Sequence, residues 1–215
     1  MTRDQHNSPI WQRQRQGRIT ATVAHDIISL KPETSKTNVL KKIMKYSQKD
    51  LSHVEAIKFG LRNEGKAKAT YISEMQTKHE NFSTTECGLF VDCTFPIFAA
   101  TPDGMRTCAC HGDGLVEIKC SFKHKDSNIQ EICDPSFYLD ENMELKKSHR
   151  YYTQVQFQMY VCGKQFCDFV VFTNKDVLTT TVYYDADFVN QMVGKCVKFA
   201  LEDLVPEIIQ HKLQT

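Results

Sequence analysis

The 215-residue chain carries 27 Lys and Arg against 26 Asp and Glu, so its formal net charge is +1. This balance provides no global field that would attract nucleic acid. No apolar run approaches the roughly 18 residues that cross a bilayer, and the polar, Arg-rich N-terminus has no signal-peptide apolar region. We therefore expect one globular domain over residues 1–215, without a membrane-spanning segment.

Nine cysteines are many for this length. Several lie within apolar runs, which is typical of buried free thiols, namely Cys120, Cys162, Cys167 and Cys196. A chain of this size does not need disulfides for stability, so the composition favours a reducing intracellular compartment, the nucleus or the cytoplasm.

The run Cys108-Ala109-Cys110-His111 is the one candidate zinc-type cluster of cysteine and histidine in the sequence. Its spacing is not that of a usual zinc module, and no second Cys/His pair follows at a suitable distance. We interpret it as a thiol-bearing loop rather than a zinc site.

Hydrophobic periodicity predicts a helical N-terminal half followed by a mixed sheet. Residues 1–10 are expected to be flexible, and 121–148 to form a long loop or a lid. The predicted helices cover 11–18, 23–30, 38–46, 52–75, 150–161 and 185–210. The predicted strands cover 87–92, 97–100, 115–120, 166–173 and 178–184. This order indicates an α/β or α+β fold with a mixed sheet of about five strands flanked by helices.

The strand over 115–120 carries two charges that need partners. Glu117 and Lys119 project from one face, because side chains alternate along a strand, and burying them is costly unless they are paired or bind metal. Asp103 lies in a turn upstream. We expect 97–100 and 115–120 to pair as a hairpin that brings Asp103 beside Glu117.

Carboxylates arranged in this way are suited to Mg²⁺-dependent phosphodiester hydrolysis. Asp103 and Glu117 would be the main metal ligands, together with the Ile118 carbonyl. Lys119 would orient water or stabilise charge on the phosphate. On a helix, Glu64 would add a ligand, or else pair with Lys68.

Five motifs, in order, resemble the phage lambda-type exonuclease or YqaJ-like viral recombinase family of the PD-(D/E)xK nuclease superfamily. Pro102-Asp103-Gly104 with Glu117-Ile118-Lys119 resembles the superfamily signature. The narrower resemblance includes Trp11-x-x-x-Arg15-x-Gly17-x-Ile19-Thr20-Ala21, Gly60-x-x-x-Glu64, Glu117-Ile118-Lys119-Cys120 and Tyr152-Thr153-Gln154-Val155-Gln156.

The resemblance implies a restriction-endonuclease-like core and Mg²⁺-dependent digestion of linear double-stranded DNA from free 5′ ends, with Mn²⁺ as a substitute. It implies metal-site roles for Asp103, Glu117 and Glu64, and a catalytic role for Lys119 with Gln154 beside it. Arg15 and Thr22 match positions that bind DNA phosphate. A homotrimer and a single-strand annealing partner are also implied.

Three alternatives remain open, and one is a structural domain in which Glu117 and Lys119 only pair with neighbouring residues. An endonuclease or structure-specific nuclease would use the same catalytic residues. A DNA-binding domain that has lost catalysis would retain the fold, although every motif acid and the lysine are present here.

Overall fold

The computed structural model describes residues 2–5, 8–46 and 53–214. The helices within these ranges are α1 Pro9–Arg15, α2 Ala21–Ile28, α3 Thr37–Met44, α4 Glu55–Lys78, α5 Arg150–Cys162, α6 Ala186–Phe199 and α7 Val205–Gln210. The strands are β1 Ile19–Thr20, β2 Ser83–Thr85, β3 Phe90–Val91, β4 Phe98–Ala100, β5 Gly104–Cys108, β6 Gly112–Cys120, β7 Phe166–Phe172 and β8 Val177–Tyr183.

The principal sheet is mixed, and its strand order is β2-β5-β6-β7-β8. The neighbours are antiparallel except β6 and β7, which run parallel. Parallel neighbours need a crossover connection, and α5 lies in that connection. The predicted mixed sheet of five strands flanked by helices is confirmed.

The predicted hairpin partner of β6 is wrong. Strand β4 pairs instead with β1 and β3 in a separate three-stranded sheet, and the true partner is β5, within a stretch predicted as loop. Residues 104–108 contain a glycine and an arginine, so they lack the apolar alternation that marks a half-buried strand. The predicted strand over 87–92 is also reduced to Phe90–Val91.

The predicted helices are present, with shifted ends. Helix α4 begins at Glu55 and runs to Lys78, and the predicted start at Ser52 lies outside the described residues. The predicted helix over 185–210 is divided by one π-helical turn, Ala200–Leu204. Pro206 lies in the first turn of α7, where its missing N–H costs no helical hydrogen bond.

Each face of the principal sheet has its own core. Phe59 and Tyr71 of α4 pack on the face that carries Val116 and Ile118. The opposite face packs against α5 and the segment 121–148. That segment is irregular apart from a short 3₁₀ turn at Ile129–Glu131. Its buried apolar side chains are Ile129, Phe137, Tyr138, Leu139 and Leu145.

No helix in the described ranges is both long and apolar enough to span a bilayer.

A buried ion pair joins β5 to β7 across β6. The Nε atom of Arg106 lies 3.2 Å from Oδ2 of Asp168, and both side chains are almost fully buried. The Tyr71 hydroxyl donates to the same Asp168 oxygen over 2.7 Å. Between the two strands Gly114 has no side chain, and any Cβ there would overlap the Phe166 ring, which stacks on the guanidinium of Arg106.

Replacing Asp168 with alanine is expected to lower the free energy of unfolding by about 3–5 kcal/mol, because Arg106 would remain buried and unpaired. Urea denaturation followed by circular dichroism measures this change. The matched control is Glu74→Gln, which breaks an exposed pair with Lys78 and should cost less than about 1 kcal/mol. Equal losses for the two variants would contradict a structural role for the buried pair.

Candidate active site

The register of the β5–β6 hairpin brings Asp103 to Glu117. Gly104 pairs with Val116. The next pair in this antiparallel register is therefore Asp103 opposite Glu117. The Asp103 carboxylate accepts a 2.7 Å hydrogen bond from the Ile118 backbone N–H. The hairpin predicted from sequence is wrong, yet the structure brings together the two acids that it was expected to join.

Ile118 presents its backbone to the same carboxylate. The N–H and C=O of one strand residue point to the same edge of the strand. Because the Ile118 N–H donates to Asp103, its carbonyl lies on the Asp103 side of β6. This is the position expected of the carbonyl that the sequence assigns to a metal site.

Lys119 lies on the same face of β6 as Glu117. Its Nζ is 2.5 Å from Oε1 of Glu117 and 4.7 Å from the centroid of the Tyr151 ring. The Glu117 side chain is 3% exposed and that of Lys119 is 20% exposed. The lysine therefore reaches solvent while the glutamate does not.

Two glutamines of α5 fix the Glu117 carboxylate. Gln154 donates to Oε1 of Glu117, and Gln158 donates to Oε2 over 2.7 Å. The sequence predicts a site role for Gln154 but not for Gln158. The four-residue spacing, which places both on one helical face, is the signal that finds the second glutamine. Both carboxylate oxygens of the buried Glu117 thus have amide donors.

The close approach of these charges shifts the pKa values of Asp103 and Lys119. Withdrawal from water raises the pKa of Asp103 well above its ordinary value, the negative charge of Glu117 raises it further, and Lys119 and the Ile118 N–H only partly oppose this. Burial alone would lower the pKa of Lys119, but Glu117 and Asp103 more than offset it, so the pKa is raised. A bound cation would relieve the crowding that raises the pKa of Asp103.

Glu64 lies on α4 at the edge of this group. Its side chain is exposed, and it lines a cleft of about 190 Å³ together with Asp103. Its charge contributes to the raised pKa of Asp103. The alternative partner, Lys68, lies 3.6 Å from Glu86. The structure therefore brings Glu64 to the same cleft as Asp103, whose carboxyl also feels the charge of Glu117.

The oxygen donors in this cleft fit a hard divalent cation. Mg²⁺ and Mn²⁺ prefer carboxylate and carbonyl oxygens. Asp103, Glu117, Glu64 and the Ile118 carbonyl supply such oxygens from three separate elements. The positive charge of Lys119 adjoins Glu117, and two further cations, Arg3 and Lys68, line the cleft itself.

Helix α1 connects Arg15 to the active-site loop. The Trp11 indole N–H donates to the Thr101 hydroxyl over 2.9 Å, two residues before Asp103. The Arg15 guanidinium stacks on the Trp11 ring at 4.2 Å. Burial lowers the pKa of Arg15 to about 10, and no carboxylate of the described residues raises it again. Within the part of the chain that the structure describes, Arg15 is therefore a cation without a neutralising acid.

Lys45, which sequence analysis did not place at the site, adds a second cation here. Burial lowers the pKa of Lys45, and the positive charge of Arg15 lowers it further, so the two groups are close. Its signal in the sequence is weak, because it is one of several lysines on α3 and in the residues after it.

Thr22, in the first turn of α2, is exposed, and its hydroxyl lies 3.2 Å from that of Thr20.

Comparison with known protein families gives a match to the YqaJ-like viral recombinase domain over residues 10–165. An alkaline nuclease of Orgyia pseudotsugata multicapsid polyhedrosis virus is 26% identical over 121 residues. That match covers 48% of this chain and 28% of the viral protein, so the chain corresponds to less than a third of that relative.

Solved structures agree with the sequence comparison. The alkaline exonuclease LHK-Exo from Laribacter hongkongensis matches with a TM-score of 0.70 at 25% identity, covering 95% of this chain and 96% of that one. The same exonuclease in complex with dAMP matches with a TM-score of 0.72 at 26% identity, with the same coverage. The predicted restriction-endonuclease-like core is confirmed by these neighbours.

The family match covers every motif identified in the sequence, and the neighbouring structures share the sheet that carries Asp103, Glu117 and Lys119. The chain belongs to the YqaJ-like viral recombinase family and has the fold of an alkaline exonuclease.

Proposed function

We propose that this chain is a Mg²⁺-dependent deoxyribonuclease that digests linear double-stranded DNA from free ends in the 5′-to-3′ direction. The observation that carries the proposal is the meeting of Asp103, Glu117 and Lys119 at one end of the β5–β6 hairpin. The relatives named alkaline nuclease and alkaline exonuclease support it. A deoxymononucleotide bound to one of them fits a product released from an end.

The bound metal supplies charge neutralisation at the phosphate and a water of lowered pKa. Asp103, Glu117, Glu64 and the Ile118 carbonyl would hold it, with Mn²⁺ able to substitute for Mg²⁺. Gln154 and Gln158 keep the Glu117 carboxylate in one orientation. Positioning of this kind is typically worth 10–100-fold in metal affinity or activity.

Lys119 acts as a cation at the scissile phosphate. Its raised pKa keeps the ammonium protonated, so it can donate a hydrogen bond to a phosphoryl oxygen or to the attacking water. It is unsuited to be the general base, which must lose a proton near the working pH. Stabilising the charge that develops at phosphorus is the role that its position supports.

Arg15 and Lys45 would bind the phosphate at the DNA end. An arginine donates two parallel hydrogen bonds to a phosphate, and Arg15 is held on the Trp11 ring beside the active-site loop. Thr22 would add a hydroxyl donor. DNA affinity is expected to fall with rising salt, because such contacts release counterions.

A homotrimer and a single-strand annealing partner stay predictions from the family resemblance. Location in a reducing intracellular compartment is also a proposal, and the nine cysteines, all free thiols in this structure, are consistent with it.

The proposal is tested with linear duplex DNA carrying 5′ phosphates and a different fluorophore near each end, beside a covalently closed circle. With Mg²⁺ we expect loss of label from the 5′ ends while the circle remains intact. Lys119→Ala should lower the rate on the order of 10²–10³-fold. Lys123→Ala, which removes an exposed lysine paired with Asp134, is the matched control and should keep the wild-type rate.

Cleavage of the circle would assign the same residues to an endonuclease. DNA binding without cleavage of either substrate would favour the domain that has lost catalysis.

Arg15→Ala is expected to slow digestion of 5′-phosphorylated ends by about 10-fold or more, because a charge-assisted hydrogen bond contributes about 1.5–3 kcal/mol. Digestion of 5′-hydroxyl ends should change little. The ratio of the two rates is the measurement, and Arg13→Ala, an exposed arginine on the same helix, is the control. An unchanged ratio in Arg15→Ala would remove the phosphate-binding role.

The stability of the metal-free chain should depend on the ionisation of Asp103. The raised pKa of this carboxyl means that its contribution to stability is present below its unfolded-state pKa. That contribution is lost as pH rises through the folded-state pKa. Asp103→Asn removes this loss and keeps an oxygen to accept the Ile118 N–H.

We therefore expect Asp103→Asn to raise the Tm of the metal-free chain at neutral and alkaline pH by a few degrees, since about 1 kcal/mol corresponds to roughly 2–4 °C at this size. The difference should disappear in acid. Thermal denaturation across pH measures it, and parallel curves for the two proteins would show that Asp103 is not electrostatically strained.

A further inference from the structure

Four metal-binding side chains cluster at the other end of the β5–β6 hairpin. They are His79, Cys108, Cys110 and His111, and their nitrogen and sulfur atoms all lie within 4.8 Å of one another. Asp103 and Cys108 are separated by five residues, about 17 Å along a strand at about 3.4 Å per residue. This cluster is therefore distinct from the acidic cleft.

The spacing of the four ligand atoms suits a tetrahedral ion. Zinc bonds of about 2.3 Å to sulfur and about 2.0–2.1 Å to nitrogen place neighbouring ligand atoms roughly 3.3–3.8 Å apart. Five contacts within the cluster range from 3.1 to 3.9 Å. Small shifts of exposed side chains would therefore complete the coordination.

The backbone already holds the two halves of this cluster together. The Ala109 N–H donates to the Glu80 carbonyl over 2.9 Å, which ties the end of α4 to the hairpin tip. Beyond it, β2 pairs with β5, with Ser83 opposite Thr107. The cluster is thus preorganised, because no loop needs to close over a long distance for the ligands to meet.

One thiol also has the environment of a metal ligand. The His111 backbone N–H donates to the Cys108 sulfur over 3.3 Å, and a hydrogen bond of this kind orients a thiolate and stabilises its charge. Cys108 is buried, whereas Cys110 and His111 are exposed. The site is therefore anchored on the inside and accessible to an ion from the outside.

We propose that His79, Cys108, Cys110 and His111 bind one structural Zn²⁺. Two thiolates and two imidazoles select zinc over the hard cations of the acidic cleft, and four protein ligands leave no open position for catalysis. The ion would join the C-terminal end of α4 to the tip of the β5–β6 hairpin. Glu64 lies further toward the N-terminus of the same helix, and Asp103 and Glu117 lie at the opposite end of the hairpin. The role of the ion is to brace the elements that support the active site.

The sequence does not predict this site because its fourth ligand is distant. His79 precedes Cys108 by 29 residues, which is outside the ligand spacing of a usual zinc module. The short Cys-x-Cys-His spacing does not match a zinc module by itself. Only the turn after α4, which returns the chain toward the hairpin tip, brings the histidine to the thiols.

The test is the zinc content of the purified full-length chain, measured by mass spectrometry under reducing conditions after dialysis against free zinc. We expect one zinc per chain. Cys110→Ser and His79→Ala should each lose it, while the controls Cys133→Ser and His53→Ala, both at exposed positions, should retain it. Asp103→Asn should also retain zinc, since it alters only the acidic cleft.

Cobalt substitution supplies an independent signature. A Co²⁺-loaded chain should show thiolate-to-metal charge-transfer absorption and the intense visible bands of a tetrahedral ion. Removing zinc from the wild-type chain should lower Tm by several degrees, because binding free energy contributes to folding.

A measurement on the wild-type chain avoids variants that fold poorly. Zinc should protect Cys110 from alkylation, whereas the exposed Cys93 and Cys133 should react equally with and without zinc. A reduced chain that holds no zinc, and in which Cys110 reacts at the same rate in both conditions, would overturn the proposal.

Discussion

The candidate active site depends on two carboxylates, Asp103 and Glu117, being held together against their mutual repulsion. The antiparallel register of β5 and β6 brings Asp103 to Glu117, and the Ile118 N–H fixes Asp103 in place. Such crowding is unfavourable without a positive charge nearby, as the raised pKa of Asp103 indicates. Lys119 supplies part of that charge, and a divalent cation would supply the rest.

Other elements of the fold hold Asp103 and Glu117 close together. Helix α5 provides both the crossover that makes β6 and β7 parallel and the two glutamines that bind Glu117. Behind the hairpin, the buried pair of Arg106 and Asp168 joins β5 to β7. The core therefore stabilises the fold, while the crowded acids destabilise it locally. Functional sites are often destabilising in this way and depend on the rest of the fold for stability.

The chain's local patterns were sufficient for the general fold and for the main acids. The alternation of Val116, Glu117 and Ile118 marks a strand, and the spacing of Gln154 and Gln158 marks a helical face. Strand β5 was missed because residues such as Gly104 and Arg106 lack an apolar alternation. Its arginine is buried only because Asp168, distant in sequence, neutralises it.

Pairing of distant segments is what the sequence could not provide. Phe98–Ala100 has the pattern of a strand, but its local sequence does not indicate that it pairs with β1 rather than with β6. Lys45 likewise lies near Arg15, and His79 lies near Cys110, because the fold brings separate elements together. Residues whose roles depend on such contacts carry ordinary local signals, so they become visible only in three dimensions.

The central claim is that Asp103, Glu117 and their neighbours form a divalent-metal site. The most direct test is calorimetric titration of Mn²⁺ into the wild-type chain and into Glu117→Gln, since the thiol cluster binds this hard ion poorly. The account predicts a saturable site in the wild type and affinity at least about 10-fold weaker in the variant. Equal affinity in both proteins would contradict it, because the metal would then bind elsewhere.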